Sequence, residues 1–160
     1  MIPSARTARL AREVKNFETK PPWGIVCHPN KEDVYDVLNF TLQGPKASPY
    51  EKGYFKLTVT IPQKYPFEPP LVKFTTPVYH PNIDKGGRIC MDMLKMPPHG
   101  AWLPTITLET LLVSIQTLLA NPNPEDPLMM ELAYEYKFNI DQYLATAKEH
   151  TEKYAKPDLN

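Results

Sequence analysis

The chain has 160 residues, 42% of them hydrophobic, enough for a single domain with a real core. Lys+Arg and Asp+Glu are both 18, so no basic excess argues for direct nucleic-acid binding, and no apolar run approaches the ~18 residues of a membrane span. The two cysteines lie far apart without CxxC spacing, which excludes a disulfide framework and a zinc site and fits a reducing compartment.

The charge is uneven all the same. Residues 1–20 carry five basic and two acidic side chains, +3, whereas residues 121–160 carry four and eight, −4. A basic N-terminal face suits a docking role or a plainly solvated helix. The opening Met1-Ile2-Pro3-Ser4 lacks an apolar signal core, so cytoplasm and nucleus are the expected compartments. Nineteen prolines are about twice the usual ~5%. They punctuate apolar runs instead of forming a tract, which reads as rigid loops and not disorder.

Ser4 can cap a helix running to about Phe17, with Leu10, Val14 and Phe17 on one face and Arg6, Arg9, Arg12 and Lys15 crowding the other. Lys20-Pro21-Pro22-Trp23-Gly24 stops it. Ile25 to His28 reads as a short strand with Cys27 in the core. Asp36 to Leu42 alternates, with Leu38, Phe40 and Leu42 on one face. Phe55, Leu57, Val59 and Ile61 alternate cleanly with Lys56, Thr58 and Thr60, and Val72 and Phe74 mark a fourth strand. Four sequential strands with short links predict an antiparallel meander in an α+β fold. Between strands three and four, Tyr65-Pro66-Phe67-Glu68-Pro69-Pro70 predicts a cis bond at Tyr65–Pro66. Its prolines hold Phe67 outward.

Further on, Thr107 caps an apolar run, Leu108, Leu111, Leu112, Ile115, Leu118 and Leu119, which predicts a buried helix crossing behind the sheet. Ser114 and Gln116 are its expected outward positions. Asn121 to Pro127 cannot continue the helix and is a shaped loop. Met129–Tyr136 and Asp141–Tyr154 make two final helices, whose Met and Tyr residues are expected in the core.

The chemistry concentrates at residues 79–92, a stretch with little apolar periodicity. A thiolate is a strong nucleophile and a good leaving group, so Cys90 suits acyl transfer through a thioester. A buried structural Cys is the plainer reading. Gly86-Gly87 frees the backbone to expose the next residues, Cys90 among them. Asn82 has an amide that suits an oxyanion, and Asp92 and Asp126 offer acceptors to an incoming amine. Composition leaves Cys-His activation through His80 open.

Tyr79-His80-Pro81-Asn82 and then Gly87-Arg88-Ile89-Cys90-Met91-Asp92 resemble the active-site signature of ubiquitin-conjugating enzymes. The Tyr65–Pro70 run, Trp102-Leu103-Pro104 and Asn121-Pro122-Asn123-Pro124-Glu125-Asp126-Pro127-Leu128 resemble the same family, so the likeness covers about residues 4–155. It implies a four-stranded antiparallel meander with an N-terminal helix, a central crossing helix and two C-terminal helices. It implies Cys90 as the nucleophile that forms a glycyl thioester with ubiquitin, Asn82 in oxyanion or loop stabilisation, and Asp126 orienting the substrate lysine, with the loop of residues 121–127 lying beside Cys90. His80, Pro81 and Asp92 take structural roles, Asp92 paired to the loop backbone. Phe67 and Pro104 match positions that meet RING-type ubiquitin ligases, with Lys64 and Leu103 beside them. Leu103 departs from the polar residue common there. Arg6, Arg9 and Arg12 match the helix that docks the ubiquitin-activating enzyme. That enzyme consumes the ATP, and no cofactor or metal is expected here.

The insert from Met93 to Ala101 resembles that of T-type members, which work in the Fanconi anaemia DNA-repair pathway. Lys95 within it is either solvated or a site of self-modification. Three rival readings are a conjugating enzyme for another ubiquitin-like modifier, a non-catalytic module that binds ubiquitin or a partner, and a structural interaction module whose shaped loops bind peptides. The intact Cys90 context opposes the second.

Overall fold

In a computed structural model, which describes residues 2–31 and 34–158, Ser4 turns the chain into α1, Ala5–Thr19. Its hydroxyl accepts from the Thr7 amide, satisfying one of the orphan donors at a helix start. Leu10 and Phe17 are buried and Val14 is half-buried, which is the face the spacing predicts. Glu13 is buried with them.

The strands β1 (Ile25–Cys27), β2 (Val37–Gln43), β3 (Tyr54–Thr60) and β4 (Leu71–Phe74) succeed one another as an antiparallel sheet in sequence order. Register explains the core. Leu38 faces Val59, Phe40 faces Leu57 and Leu42 faces Phe55 across β2 and β3. Val59 and Leu57 then face Val72 and Phe74 on β4. All of these are buried, so one face of the sheet is a continuous apolar layer.

Helix α2, Leu108–Ala120, starts at Thr107, whose hydroxyl accepts from the Thr110 amide. It adds Leu108, Leu111, Leu112, Ile115 and Leu119 to that layer, each worth about 1.5–3 kcal/mol when fully buried. Gln116 does not face outward as expected. Its amide donates to the carbonyls of Trp23 and Gln43, tying α2 to the turn before β1 and the end of β2.

Helices α3 (Met130–Phe138) and α4 (Ile140–Tyr154) complete the chain. Tyr143 is buried, and its hydroxyl bonds the hydroxyl of Tyr50. Tyr136 packs half-buried against the core, but the expected burial fails for Met130, Tyr134 and Tyr154. Met130 and Tyr134 are 78% and 68% exposed. The nine-residue α3 buries only Ala133, and its apolar side chains ring the helix instead of forming one stripe. Cys27 is half-buried, at the margin of the core. The Tyr65–Pro66 bond is cis as predicted, and Pro97–Pro98 is cis as well.

Candidate active site

The loop before Cys90 is pinned to the sheet by backbone. Phe74 of β4 donates to the Gly87 carbonyl at 2.9 Å. Gly87 has φ +85°, and a Cβ there would lie 1.9 Å from the Phe74 carbonyl oxygen. Only glycine fits. Gly86, expected to share that role, is not crowded, since a Cβ there would meet only the Asp84 Oδ1 at 3.5 Å; its amide instead caps the Asp84 carboxylate together with the Arg88 amide. The Cys90 amide donates to the Asn82 carbonyl at 2.8 Å, which fixes where the thiol leaves the chain.

The thiol is half-exposed, not sealed. Its Sγ lies 3.3 Å from Oδ2 of Asp126 and 3.6 Å from Nζ of Lys95. Partial burial pushes the thiol pKa up, the Asp126 carboxylate adds to this, and the Lys95 ammonium opposes it. A half-exposed thiol beside a carboxylate and an amine has the groups that acyl transfer to an amine requires.

Lys95 reaches the sulfur because the insert is a tight turn. The Lys95 and Ala101 amides both donate to the Asp92 carbonyl, and the Trp102 amide donates to the Lys95 carbonyl. A Cβ on Gly100 would lie 2.2 Å from that Lys95 carbonyl oxygen. Asp92 is thus structural through its carbonyl; its side chain is exposed, which corrects the expected pairing of the carboxylate with the loop.

Asn82 is buried, and its amide is fully engaged. Nδ2 donates to the carbonyls of Asn123 (2.8 Å) and Asp126 (3.0 Å), while Oδ1 accepts from the Asn123 amide at 2.8 Å. Both side-chain protons hold the loop that carries Asp126. Pro81 helps, its carbonyl accepting from the Leu128 and Met129 amides. Of the two roles open to Asn82, loop holding is the one made in this state.

His80 is wholly buried. The Asn82 amide donates to its Nδ1 at 3.0 Å, so the proton resides on Nε2, which donates to the Leu118 carbonyl at 2.8 Å. Neither nitrogen is available to Cys90, which removes Cys-His activation. Burial pushes the imidazole pKa down from 6.5 to about 4, against the pull of the Leu118 carbonyl. Between those values the unfolded chain binds a proton that the folded chain refuses. Stability therefore falls as pH drops through that window, by about 3 kcal/mol in all. His80→Gln should flatten this dependence. Urea unfolding at pH 7 and pH 4.5 measures it, and an equal loss in variant and parent would exclude His80 as the cause.

A family model described as ubiquitin-conjugating enzyme matches residues 9–151. The chain belongs to the ubiquitin-conjugating enzyme family. It is 50% identical over 151 residues to ubiquitin-conjugating enzyme E2 T of Homo sapiens, covering 94% of this chain and 76% of that protein. Identity to the E2 T of Xenopus laevis is 47%, covering 95% and 79%. A crystal structure assigned to a ubiquitin conjugating enzyme of Plasmodium yoelii superposes with a TM-score of 0.88 at 38% identity, over 99% of this chain and 100% of that one. The protein is thus a ubiquitin transferase, and the expected conjugating fold is its fold.

The conjugating enzyme presents its expected partner positions unequally. Phe67 (69%) and Leu103 (55%) stand exposed with Pro104, and Trp102 Nε1 donates to the Pro66 carbonyl at 3.0 Å, bringing their two loops together. Lys64 is exposed and 3.8 Å from Glu68. Arg12 is exposed, but Arg6 and Arg9 are not free cations of a docking face. Arg6 donates to the carbonyls of Ile61 and Pro62 and pairs with Asp36. Arg9 donates to the carbonyls of Pro104 and Ile106. Helical periodicity puts both on the polar side of α1 and gives no sign that loops from elsewhere cover it. Nor does it signal the contact of Lys95 with the thiol. Among the described residues no cluster of His, Cys, Asp or Glu could hold a metal ion.

Proposed function

We propose that Cys90 carries ubiquitin and that Asp126 guides the amine which takes it. The observation that carries this is the half-exposed sulfur 3.3 Å from a carboxylate. The Cys90 thiolate attacks the thioester carbonyl of ubiquitin on the activating enzyme, whose own thiolate departs. A neutral lysine amine of a substrate then attacks the Cys90 thioester, the C–S bond breaks, and an isopeptide forms. Lysine has an ordinary pKa of about 10.4, so the neutral amine is scarce near pH 7. The Asp126 carboxylate can orient it and accept its proton. The raised thiol pKa supports a carrier that is not consumed by adventitious electrophiles.

The test is a charging assay. Incubation with ATP, an activating enzyme and ubiquitin should yield a thiol-sensitive adduct, and parallel incubation with other ubiquitin-like modifiers should not. Charging only by another modifier would replace ubiquitin as the cargo.

The exposed Phe67, Leu103 and Pro104 support a RING-type ligase as partner, and Arg12 supports contact with the activating enzyme. The 50% identity to E2 T and the insert 93–101 support a T-type role, monoubiquitination in DNA repair, in the nucleus or cytoplasm. Unchanged survival of cells lacking this chain after DNA damage would withdraw that role.

Lys95 lies within reach of the thioester and competes with substrate. When the enzyme is charged without substrate, Lys95→Arg should remove most of the thiol-resistant adduct while leaving the thiol-sensitive one intact. A gel with and without thiol reads both. Persistence of the resistant adduct in the variant would assign self-modification to another lysine.

A further inference from the structure

Glu13 is 7% exposed, in a helix whose other buried residues are Leu10 and Phe17. A charge stays buried only where it is paired and hydrogen-bonded. Glu13 meets that condition through contacts made far along the chain. Its Oε1 accepts the Leu108 backbone amide at 2.7 Å. Leu108 opens α2, so the carboxylate sits at the positive end of that helix. Its Oε2 accepts from the Tyr65 hydroxyl and from Nε of Arg9 at 3.4 Å.

Arg9 extends the network. Its two terminal nitrogens donate to the carbonyls of Pro104 and Ile106, the latter at 2.7 Å, and its guanidinium lies 5.1 Å from the centre of the Tyr65 ring. A guanidinium holds its five donors in a rigid planar fork, so it serves a carboxylate and two carbonyls at once in a fixed geometry that a lysine ammonium does not impose. Two side chains of α1 therefore join the loop of Tyr65 to the loop of Pro104 and to the start of α2. Phe67 lies two residues beyond Tyr65, and Pro104 itself supplies one of the bonded carbonyls.

We propose that Arg9 and Glu13 are a positioning pair for the ligase-facing surface, holding the Phe67 loop and the Pro104 loop at one spacing and so setting how strongly a ligase accelerates lysine transfer. This rests on the reading of Phe67 and Pro104 as ligase contacts. A surface assembled from two loops binds well only when their separation is fixed before the partner arrives, because ordering them on binding costs affinity. Glu13 acts from beneath that surface, through Tyr65 and through Arg9.

The test uses the full chain, a RING-type ligase that stimulates the parent enzyme, and three variants. Glu13→Gln weakens the node at its centre. Tyr65→Phe removes one hydroxyl and keeps the ring, so it serves if Glu13→Gln does not fold. Phe67→Ala removes the surface itself. Discharge of charged enzyme to free lysine is measured without ligase and across a ligase titration. Glu13→Gln and Tyr65→Phe should raise the half-saturating ligase concentration, about tenfold for the former, the effect of losing one hydrogen bond to a charged group. Ligase-free discharge should stay within about twofold, where a merely structural lesion would lower it in parallel. Hydrogen exchange should quicken at residues 64–68 and 103–106 in both variants. Unchanged titrations with Phe67→Ala defective would overturn the positioning role alone. Full stimulation of Phe67→Ala would overturn the ligase surface and this inference with it. A parallel fall with and without ligase would reduce Glu13 to a core residue.

Discussion

Cys90→Ala is expected to abolish the ubiquitin adduct, and Cys90→Ser to change its chemistry from thiol-labile to thiol-resistant. The first outcome rests on the lack of a second competent nucleophile. Cys27 is the only other cysteine, and burial with the nearby Glu18 pushes its pKa up to about 11, which leaves almost no thiolate near neutral pH. The second outcome rests on the leaving group. A serine alkoxide departs far less readily than a thiolate, so the oxyester should form slowly, survive reducing agent and resist lysine. Electrophoresis with and without thiol, after incubation with ATP, activating enzyme and ubiquitin, distinguishes the outcomes. Cys27→Ala is the control and should charge like the parent. A thiol-labile adduct on Cys90→Ala would move the nucleophile elsewhere and end the mechanism.

Whatever depends on local periodicity is legible before folding. The alternation of Phe55, Leu57 and Val59 becomes a strand with that face buried, because side-chain direction in a strand is fixed by parity alone. Ser4 and Thr107 cap the helices they precede because a cap needs only its own next residues. The proximity of Asp126 to Cys90 came through the motifs of a resembled family, not through spacing. Contacts set by tertiary approach are opaque. Periodicity places Arg9 on a polar face but cannot say that the carbonyls of Pro104 and Ile106 will close over it. Apolar content in α3 suggests core, yet a helix packed through Ala133 has no room to bury Met130 or Tyr134 as well. Lys95 is visible in the sequence as a lysine near a thiol. Its reach to the sulfur depends on a turn closed on the Asp92 carbonyl, which no pattern of residue types encodes.

Asn82→Ala should slow discharge to lysine by ~10²–10³ while leaving charging of Cys90 largely intact, the range measured when an oxyanion donor is lost in a protease. The geometry gives two routes to such a loss. In the resting state the amide donates both protons to the carbonyls of Asn123 and Asp126 and accepts from the Asn123 amide. Removing it leaves three backbone groups without their partner, at about 1 kcal/mol for each bond. The loop then loosens, and the Asp126 carboxylate leaves its place 3.3 Å from the sulfur. Direct oxyanion stabilisation instead requires one proton to turn from the loop to the tetrahedral intermediate. A double-mutant cycle with Asp126→Ala separates these routes. If Asn82 acts by holding Asp126, the double variant should be little slower than the slower single one. If it binds the oxyanion, the two losses should multiply. The structure favours the first outcome, since every polar atom of the amide is already committed to the loop. Discharge at the parent rate in Asn82→Ala would exclude both.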